Sequence, residues 1–253
     1  MARLKGIIKL QGTLDDLTFY KTQDGHLVKT KSSISKERIA NDDAFIRTRE
    51  NGSEFGSAAS AGKLLRIAVK GMLSTSNAHF TSRVTKLMML LRTADISSDR
   101  GNRNVHDAMG TAAGMDLIRG FNFNSNAQLD SVFLRNYTLD KVTGTLSIMD
   151  LDPSTDFVRP KGATYARLNT AWAKIDFKKN IFEISYSTPL DFQFTKGDPL
   201  GPTDFLIPKK PVTPGISLFI MSVEFMQVVN GVIYNLNNGS YNACAIIDSA
   251  VVV

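Results

Sequence analysis

The placement of proline constrains this chain more than any other feature of its sequence. All eight prolines lie after residue 150, and the first 152 residues contain none. Proline breaks the interior of a helix and is excluded from central strands, because it lacks a backbone N–H donor. The proline-free region therefore suits long helices, whereas the proline-bearing region suits strands joined by loops.

Charge divides the chain at a similar place. Residues 1–120 contain 19 Lys and Arg against 12 Asp and Glu, whereas residues 121–253 contain 11 against 12. The net charge of +6 therefore arises in the first part. We predict a β-meander with a helical region at 1–120 and a separate domain at 121–253.

Composition excludes several classes of protein. Hydrophobic residues make up 43% of the chain and charged residues 21%, which excludes an intrinsically disordered protein. The one cysteine, Cys244, excludes an intramolecular disulfide and a cysteine-based zinc site, and its apolar neighbours indicate a core position. No apolar run reaches the roughly 18–20 residues of a membrane helix, and Lys9 and Gln11 interrupt any signal-peptide apolar region. We expect no membrane partner and a cytoplasmic or particle-associated location.

The first 32 residues predict a small β-meander. Lys5–Gln11, Leu17–Thr22 and Leu27–Lys31 are rich in β-prone residues. Residues 12–16 separate the first two runs, and Asp24-Gly25 lies between the second and third, where glycine accepts the positive φ of a hairpin turn. Three short strands are only marginally stable alone, so we expect them to pack against something else.

Helical spacing of apolar residues predicts three helical segments after the meander. The first follows Asn41, an N-cap residue, and Asn51-Gly52 is a candidate break within it. It contains the small-residue run Gly56–Gly62, which permits the close approach of another helix. The second segment covers Asn77–Arg92 and the third covers Asn104–Arg119.

After residue 121 the pattern is that of strands. Asn230-Gly231 and Asn238-Gly239 are two-residue hairpin signals, and Gly197–Gly215, with five prolines, is typical of a long surface loop. The predicted strands include Val132–Tyr137, Gly144–Met149, Ala163–Phe177, Ile181–Ser187, Ile216–Val229 and Cys244–Val253. We therefore predict an α+β chain that ends in an antiparallel β-sandwich, either Ig-like or jelly-roll-like.

The motifs that specify catalysis most strongly do not occur in the sequence. It has no phosphate-binding G-x-x-x-x-G-K-[ST], no G-x-G-x-x-G, no H-E-x-x-H and no G-x-S-x-G. His106-Asp107 begins a predicted helix, where we interpret it as a surface histidine beside a helix-start carboxylate. Asp150, Asp152 and Asp156 lack the glycine and terminal glutamate of a calcium loop and are typical of turns. We expect no cofactor, no metal site and no small-molecule substrate.

The last residues, Ala250-Val251-Val252-Val253, are strongly β-prone. An uncovered edge strand invites pairing with another chain. This strand either packs inside its own sandwich or pairs with a neighbouring copy, and the sequence leaves both arrangements open. Together with Phe19 and Tyr20 of the meander, these residues are the predicted subunit contacts.

The basic residues of the first part form a candidate nucleic-acid surface. Nucleic acid binds such a cluster electrostatically. Glu37, Asp42, Asp43 and Glu50 lie among the basic residues and dilute their field. The candidate contacts are Lys29, Lys31, Lys36, Arg38, Arg47 and Arg49.

Several segments resemble a family of uncharacterised Bacteroidota proteins over most of the chain. The segments are Gly12–Lys21, Ser35–Phe45, Arg47–Asn51, Val223–Phe225, Val229–Tyr234, Asn238-Gly239 and Tyr241–Ala243. The resemblance implies a short β-hairpin start, a helical middle and a β-sandwich end, with no known activity and no catalytic residues to carry over. Some similarly built proteins have a phage-like or mobile-element character.

These observations predict a non-enzymatic structural protein. We expect a subunit of a homo-oligomeric or filamentous assembly, such as a virion or phage-derived particle, whose partners are copies of itself. The alternative is a nucleic-acid-binding module that uses the basic first half, and a third hypothesis is an enzyme of unknown type.

Overall fold

The structure is a computed structural model that describes residues 2–3, 10–23, 25–30, 34–73, 80–194, 199–236 and 240–251. It confirms the α+β class, with a small antiparallel sheet first, then helices, then a curled antiparallel sheet. The chain divides into two compact units, Met1–Asn51 and Gly52–Val253. This division lies earlier than the boundary at 120/121 expected from composition.

The N-terminal unit is a four-stranded antiparallel sheet followed by a short helix. Its strands are β1 (Ala2–Arg3), β2 (Gly12–Leu14), β3 (Leu17–Thr22) and β4 (Gly25–Thr30), in the order β1-β4-β3-β2, and α1 covers Lys36–Asn41. The prediction of Leu17–Thr22 as a strand is confirmed. The predicted loop at 12–16 instead contains β2, because the turn needs only Asp15 and Asp16, and Asp15 adopts a positive φ of 47°. Most of the predicted strand Lys5–Gln11 lies outside the described residues.

The C-terminal unit contains five α-helices in the described residues. They are α2 (Ile46–Ala68), whose first six residues belong to the N-terminal unit, α3 (Phe80–Leu91), α4 (Val105–Met109), α5 (Ala112–Ile118) and α6 (Leu129–Val132). The α2 helix continues through Asn51-Gly52 without a break. A methyl group on Gly62 would lie 3.4 Å from the Met88 Cγ of α3, so this small residue allows the two helices to approach closely.

The prediction of one helix over Asn104–Arg119 is wrong, because α4 and α5 are separate. The Thr111 hydroxyl accepts a hydrogen bond from the Gly114 N–H at 3.0 Å and caps the start of α5. A Cβ on Gly114 would overlap the backbone carbonyl of Ala108. The chain therefore turns sharply between the two helices, and glycine at 114 makes that turn possible.

Two long strands form the centre of the main sheet. These are β7 (Tyr165–Asp176) and β11 (Ile216–Val229), which pair antiparallel. On the outer side of β7 lie β8 (Ile181–Tyr186) and β9 (Leu190–Gln193), and on the outer side of β11 lie β12 (Val232–Asn235) and β13 (Ala243–Ala250). A smaller sheet has the order β10-β6-β5, with β5 at Thr138–Leu139, β6 at Leu146–Leu151 and β10 at Gly201–Phe205.

Each face of the main sheet contributes to its own buried cluster. Leu218 and Ile220 of β11 belong to a cluster with α2, α3 and α5, whereas Met221 and Val223 belong to a cluster with β6 and β10. Alternate side chains of a strand point to opposite faces, so α2 to α5 cover one face, and the small sheet together with α6 covers the other. The buried runs of β7 and β11 follow from this two-sided cover.

Two predictions in the C-terminal half are wrong. Only Val132 of the predicted strand Val132–Tyr137 is helical, as the last residue of α6, while Phe133 is extended and forms an isolated bridge with Phe157. Residues 134–137 form neither a strand nor a helix. The predicted loop Gly197–Gly215 contains β10. Pro202 is tolerated there because β10 is an edge strand of the small sheet.

Candidate functional site

The hairpin formed by the end of β11 and by β12 presents a run of exposed apolar residues in the C-terminal unit. Asn230 and Gly231 form its turn with φ of 51° and 78°, as the Asn-Gly signal predicted. Val232, Ile233 and Tyr234 are 51%, 48% and 52% exposed. Cross-strand pairs join Val229 to Val232 and Val228 to Ile233, which lie on opposite faces. Both faces of the hairpin are therefore apolar and open to water.

The outer edge of this hairpin has no strand partner in the described part of the chain. There β12 pairs only with β11, over Met226–Val229. The neighbouring strand β13 is covered differently, since the N–H groups of Gly120 and Phe123 donate to Ile246 and Cys244 at 2.8 Å. Natural edge strands are protected by charges, proline or bulges. The hairpin from Met226 to Asn235 contains no charged residue and no proline.

The N-terminal sheet also presents apolar side chains. No residue of this sheet is buried within 10–23 and 25–30, and Leu14 and Leu17 are 64% and 44% exposed. The register of β2, β3 and β4 places Leu14, Leu17, Phe19 and Val28 on one face. Of the two predicted contacts here, Phe19 lies on this apolar face, and Tyr20 lies on the other face.

The predicted contacts at the end of the chain divide between described and undescribed residues. Ala250 is the last residue of β13 and pairs with Ser217 of β11 within the same chain. Val251 follows the strand and is 54% exposed. Val252 and Val253 lie outside the described residues. The strand that precedes them therefore pairs with β11 of its own chain as far as Ala250.

Three of the basic residues predicted to contact nucleic acid are engaged locally. Arg38 Nε lies 3.1 Å from Asp42 Oδ2, and Arg47 Nη1 lies 2.9 Å from Glu50 Oε2. Arg49 donates to the backbone carbonyls of Ile39 and Asp42 at 2.9 and 2.8 Å. The Ala44 N–H and the Arg38 guanidinium together hold the pKa of Asp42 below its usual value.

Of the other three basic residues predicted to contact nucleic acid, the structure describes two. Lys29 and Lys36 are exposed, and Lys29 Nζ lies 5.6 Å from the centre of the Tyr20 ring. Lys31 lies outside the described residues. The nucleic-acid interpretation stays a prediction, which salt-dependent retention on a DNA or RNA column tests.

The structure brings His106 close to a carboxylate that sequence inspection did not connect with it. His106 Nδ1 lies 3.9 Å from Asp176 Oδ1, which is longer than a hydrogen bond. Asp176 is 5% exposed and accepts from the N–H groups of Lys178 and Lys179 at 2.9 and 3.0 Å. Burial alone would raise the pKa of Asp176, but these two N–H groups, with the nearby His106, lower it overall. His106 also borders a cavity between α2 and the β7–β8 turn.

Two buried acidic residues hold the loop that leads to His106. Glu54 is 1% exposed and accepts from the Gly101 N–H at 2.8 Å, and its carboxylate pairs with Arg92 and Arg103. Asp95 accepts from Ser97, Ser98 and Asn104, and these hydrogen bonds outweigh burial and lower the pKa of Asp95 to about 2. Neither residue lies in a motif, so only the folded arrangement identifies them.

Other candidate chemistry is limited in the part of the chain that the structure describes. Cys244 is buried, and desolvation raises the pKa of its thiol, which opposes a nucleophilic role. Asp152 accepts from the Ser154 N–H, and Asp156 accepts from the Asp152 N–H, as turn residues do. Among the described residues, no group of three or more His, Cys, Asp or Glu side chains is arranged to hold a metal ion.

Within the same described ranges, no helix combines the length and apolar content needed to cross a membrane. The resemblance to a Bacteroidota family stays a prediction. The chain matches no protein-family model, and it matches none of the curated proteins or solved structures with which it was compared.

Proposed function

We propose that this protein is a structural subunit that associates with copies of itself through the β11–β12 hairpin. The observation that carries the proposal is an uncharged hairpin whose apolar side chains are exposed on both faces. Val229, Val232 and Tyr234 lie on one face, and Val228 and Ile233 lie on the other. Water-exposed apolar surface of this kind marks interaction sites in soluble proteins.

The open edge of β12 favours a second copy as the partner. An antiparallel strand edge is complementary to itself across a two-fold axis, since each N–H and carbonyl of one copy meets its counterpart in the other. The same rotation places Ile233 and Tyr234 near their own equivalents. A two-fold contact of this type forms between two copies of this chain and requires no protein of a different sequence.

The N-terminal sheet supplies a second surface for the same function. Its apolar face, with Leu14, Leu17, Phe19 and Val28, lacks a buried core among the described residues. Two different self-associating surfaces on one chain extend a dimer into a larger assembly. In its more specific form, the proposal is that this larger assembly is a virion or a phage-derived particle.

Size-exclusion chromatography with light scattering tests the proposal over a range of protein concentrations. We expect a mass above that of one 27.8 kDa chain. We expect Ile233→Lys to weaken association by tenfold or more, which corresponds to at least about 1.4 kcal/mol. The matched control is Val142→Lys, which adds the same charge at a 69% exposed valine of the β5–β6 turn.

The control should associate as the wild type does, and circular dichroism should show both variants folded. A wild-type protein that stays monomeric at millimolar concentration contradicts the proposal. Equal weakening by the two variants assigns the effect to charge rather than to the hairpin, and this too contradicts it. Negative-stain microscopy of the wild type then distinguishes a closed oligomer from a filament or a particle.

A further inference from the structure

Charge is distributed unevenly over α2 and α3. Residues 55–94 contain six lysines and arginines and no aspartate or glutamate. This stretch holds most of α2 and the whole of α3. Ion pairs between residues three and four apart, which often neutralise the surface of a helix, therefore cannot form within it.

Three of these cations follow the water-facing side of α2. Lys63 and Arg66 are neighbours on the helix surface, because they are three residues apart. Lys70 starts the 3₁₀ turn that follows α2 and continues the same line. Lys63 and Lys70 are exposed, and Arg66 is half-buried. The opposite side of α2, with Leu65 and Ala68, is buried in the core.

Arg66 extends from this line towards α3. A methyl group on Gly62 would lie 3.5 Å from Arg66 Nη1 and 3.5 Å from Val84 Cγ1 of α3. The guanidinium therefore lies beside the contact between the two helices, and its Nη1 is buried with no hydrogen-bond partner among the described residues. On α3 itself, Lys86 is exposed two positions beyond Val84. The cations of the two helices thus belong to one surface.

We define the α2–α3 cationic surface as the following four residues: Lys63, Arg66, Lys70 and Lys86. Within the described ranges, none of the four makes a hydrogen bond or an ion pair. By contrast, Arg92 and Arg103 pair with Glu54, and Arg119 of the α5 C-terminus pairs with Asp116. These two acids, on α2 and α5, are thus matched by other cations and do not neutralise the surface.

The turn beside α2 is also positive. Asn180 of the β7–β8 turn lines a cavity together with Lys63, so the turn lies next to α2. It carries the exposed Lys178 and Lys179 against one carboxylate, that of Asp176. Counted as full charges, two cations against one anion leave the turn positive, so it does not offset the charge of the surface.

The chemistry of this surface fits nucleic acid better than a membrane. Nucleic acid carries a phosphate charge about every 3.4 Å along each strand, and lysine and arginine supply many of the contacts to phosphate oxygens. A helix that binds the surface of a membrane instead needs an apolar face to insert between lipids. The apolar faces of α2 and α3 are both buried in the core, which leaves the helices no such face.

We propose that the α2–α3 cationic surface binds the phosphate backbone of nucleic acid without reading its sequence. The backbone runs along the line from Lys63 to Lys70, with Arg66 donating to it from beside the helix contact and Lys86 contacting it from α3. This surface differs from the basic residues of the N-terminal unit that the sequence singled out. It also needs no association through the β11–β12 hairpin.

Fluorescence anisotropy with a labelled DNA duplex of about 20 base pairs tests the proposal between about 50 and 200 mM salt. We expect the logarithm of the association constant to fall linearly with the logarithm of salt concentration. The expected slope is about −3 to −4, because each of four cations contributes about −0.9. The double variant Lys63→Gln and Lys86→Gln should weaken binding by tenfold or more and reduce the slope by about 2.

The matched control is the double variant Lys29→Gln and Lys36→Gln, which removes the same charge from two exposed lysines of the N-terminal unit. This control should change the affinity for the duplex by less than twofold. Equal losses in the two double variants would show general electrostatic attraction and overturn the proposal. A wild-type protein that shows no salt-dependent binding of the duplex overturns it as well.

Sedimentation with phosphatidylserine vesicles tests the membrane alternative at the same salt concentrations. We expect no binding to vesicles at protein concentrations that saturate the duplex. Vesicle binding that the Lys63 and Lys86 substitutions abolish would assign the surface to a membrane and overturn the proposal. Circular dichroism establishes that each variant is folded, and because the substituted lysines are exposed we expect no loss of structure.

Discussion

The two units of this protein use the same antiparallel strand pairing but differ in what covers their sheets. Between residues 10 and 51 no described side chain is buried, whereas β7 and β11 are buried along most of their length. Strand pairing fixes register in both units, but a backbone hydrogen bond contributes little net stability. The difference shows that sheets gain stability from the side chains that cover their faces.

This contrast gives the N-terminal unit a specific weakness. A domain of about 60 residues is marginally stable even with a core, and this unit has 51 residues, with no cysteine to form a disulfide. Its apolar face, from Leu14 to Val28, must find cover outside the sheet to gain stability. The following predictions test whether the two units differ as much in energy as in burial.

The largest expected difference comes from a matched pair of phenylalanines. Phe225 in β11 is fully buried, and Phe19 in β3 is half-buried. Phe225→Ala should lower the free energy of unfolding by about 3–5 kcal/mol, whereas Phe19→Ala should cost under about 1 kcal/mol because little burial is lost. Urea unfolding followed by circular dichroism measures both. Similar losses of unfolding free energy in the two variants would contradict the difference in stability between the two units.

A second pair uses two glutamates one turn apart on α2. Glu54 is buried with Arg92 and Arg103, while Glu50 pairs with the exposed Arg47. Glu54→Gln should cost about 3 kcal/mol, because it leaves buried arginine charge uncompensated. Glu50→Gln should cost under about 0.5 kcal/mol. Thermal unfolding ranks the two, and a larger loss for Glu50→Gln would contradict the assignment of the buried network.

Acid should weaken the C-terminal unit through Asp95. The pKa of Asp95 is lowered to about 2 from an ordinary value of 3.8, so its contribution is complete above about pH 4 and is lost as the pH falls towards 2. The contribution is about 2 kcal/mol. Urea titrations at pH 5, 3.5 and 2.5 should show the gap between wild type and Asp95→Asn closing in acid. A gap that stays constant with pH would show that the carboxylate charge contributes nothing.

The smallest effect concerns turn glycines. Gly231 and Gly25 have positive φ of 78° and 111°, and a Cβ would meet nothing within 4 Å at either position. Gly231→Ala should cost about 1 kcal/mol from backbone strain alone. The single tryptophan, Trp172, lies in β7, so its fluorescence reports unfolding of the C-terminal unit. Gly25→Ala should leave that unfolding transition unchanged. An equal shift of the transition by both variants would show that the two units unfold together, which contradicts the comparison.

Local patterns predicted much of this fold. The Asn230-Gly231 turn, the strand at Leu17–Thr22 and the long strands β7 and β11 follow from residue types a few positions apart. The break between α4 and α5 did not, because it depends on the overlap that any side chain at Gly114 would make with Ala108. The strand predicted at Val132–Tyr137 did not form, because after α6 ends at Val132 only Phe133 finds a bridge partner, Phe157, which is 24 positions away.

The candidate sites were less predictable, because they depend on distant segments. His106 and Asp176 are 70 positions apart in the sequence, and Ser60 reaches the same cavity from a third element. The exposed hairpin contains a recognised turn, but its exposure depends on where the small sheet and β13 end. One signal was available, since apolar residues at consecutive positions on both sides of the turn give it two apolar faces.

The two-sided burial of β11 has a consequence for how the chain is made. β7 precedes β11 by about 40 residues, and synthesis at about 5–20 residues per second leaves it without this neighbour for about 2–8 s. During that interval its apolar residues and backbone edge are accessible to other nascent chains. We therefore expect the yield of soluble protein to depend on translation speed between β7 and β11, and on chaperones that bind β7 in the meantime.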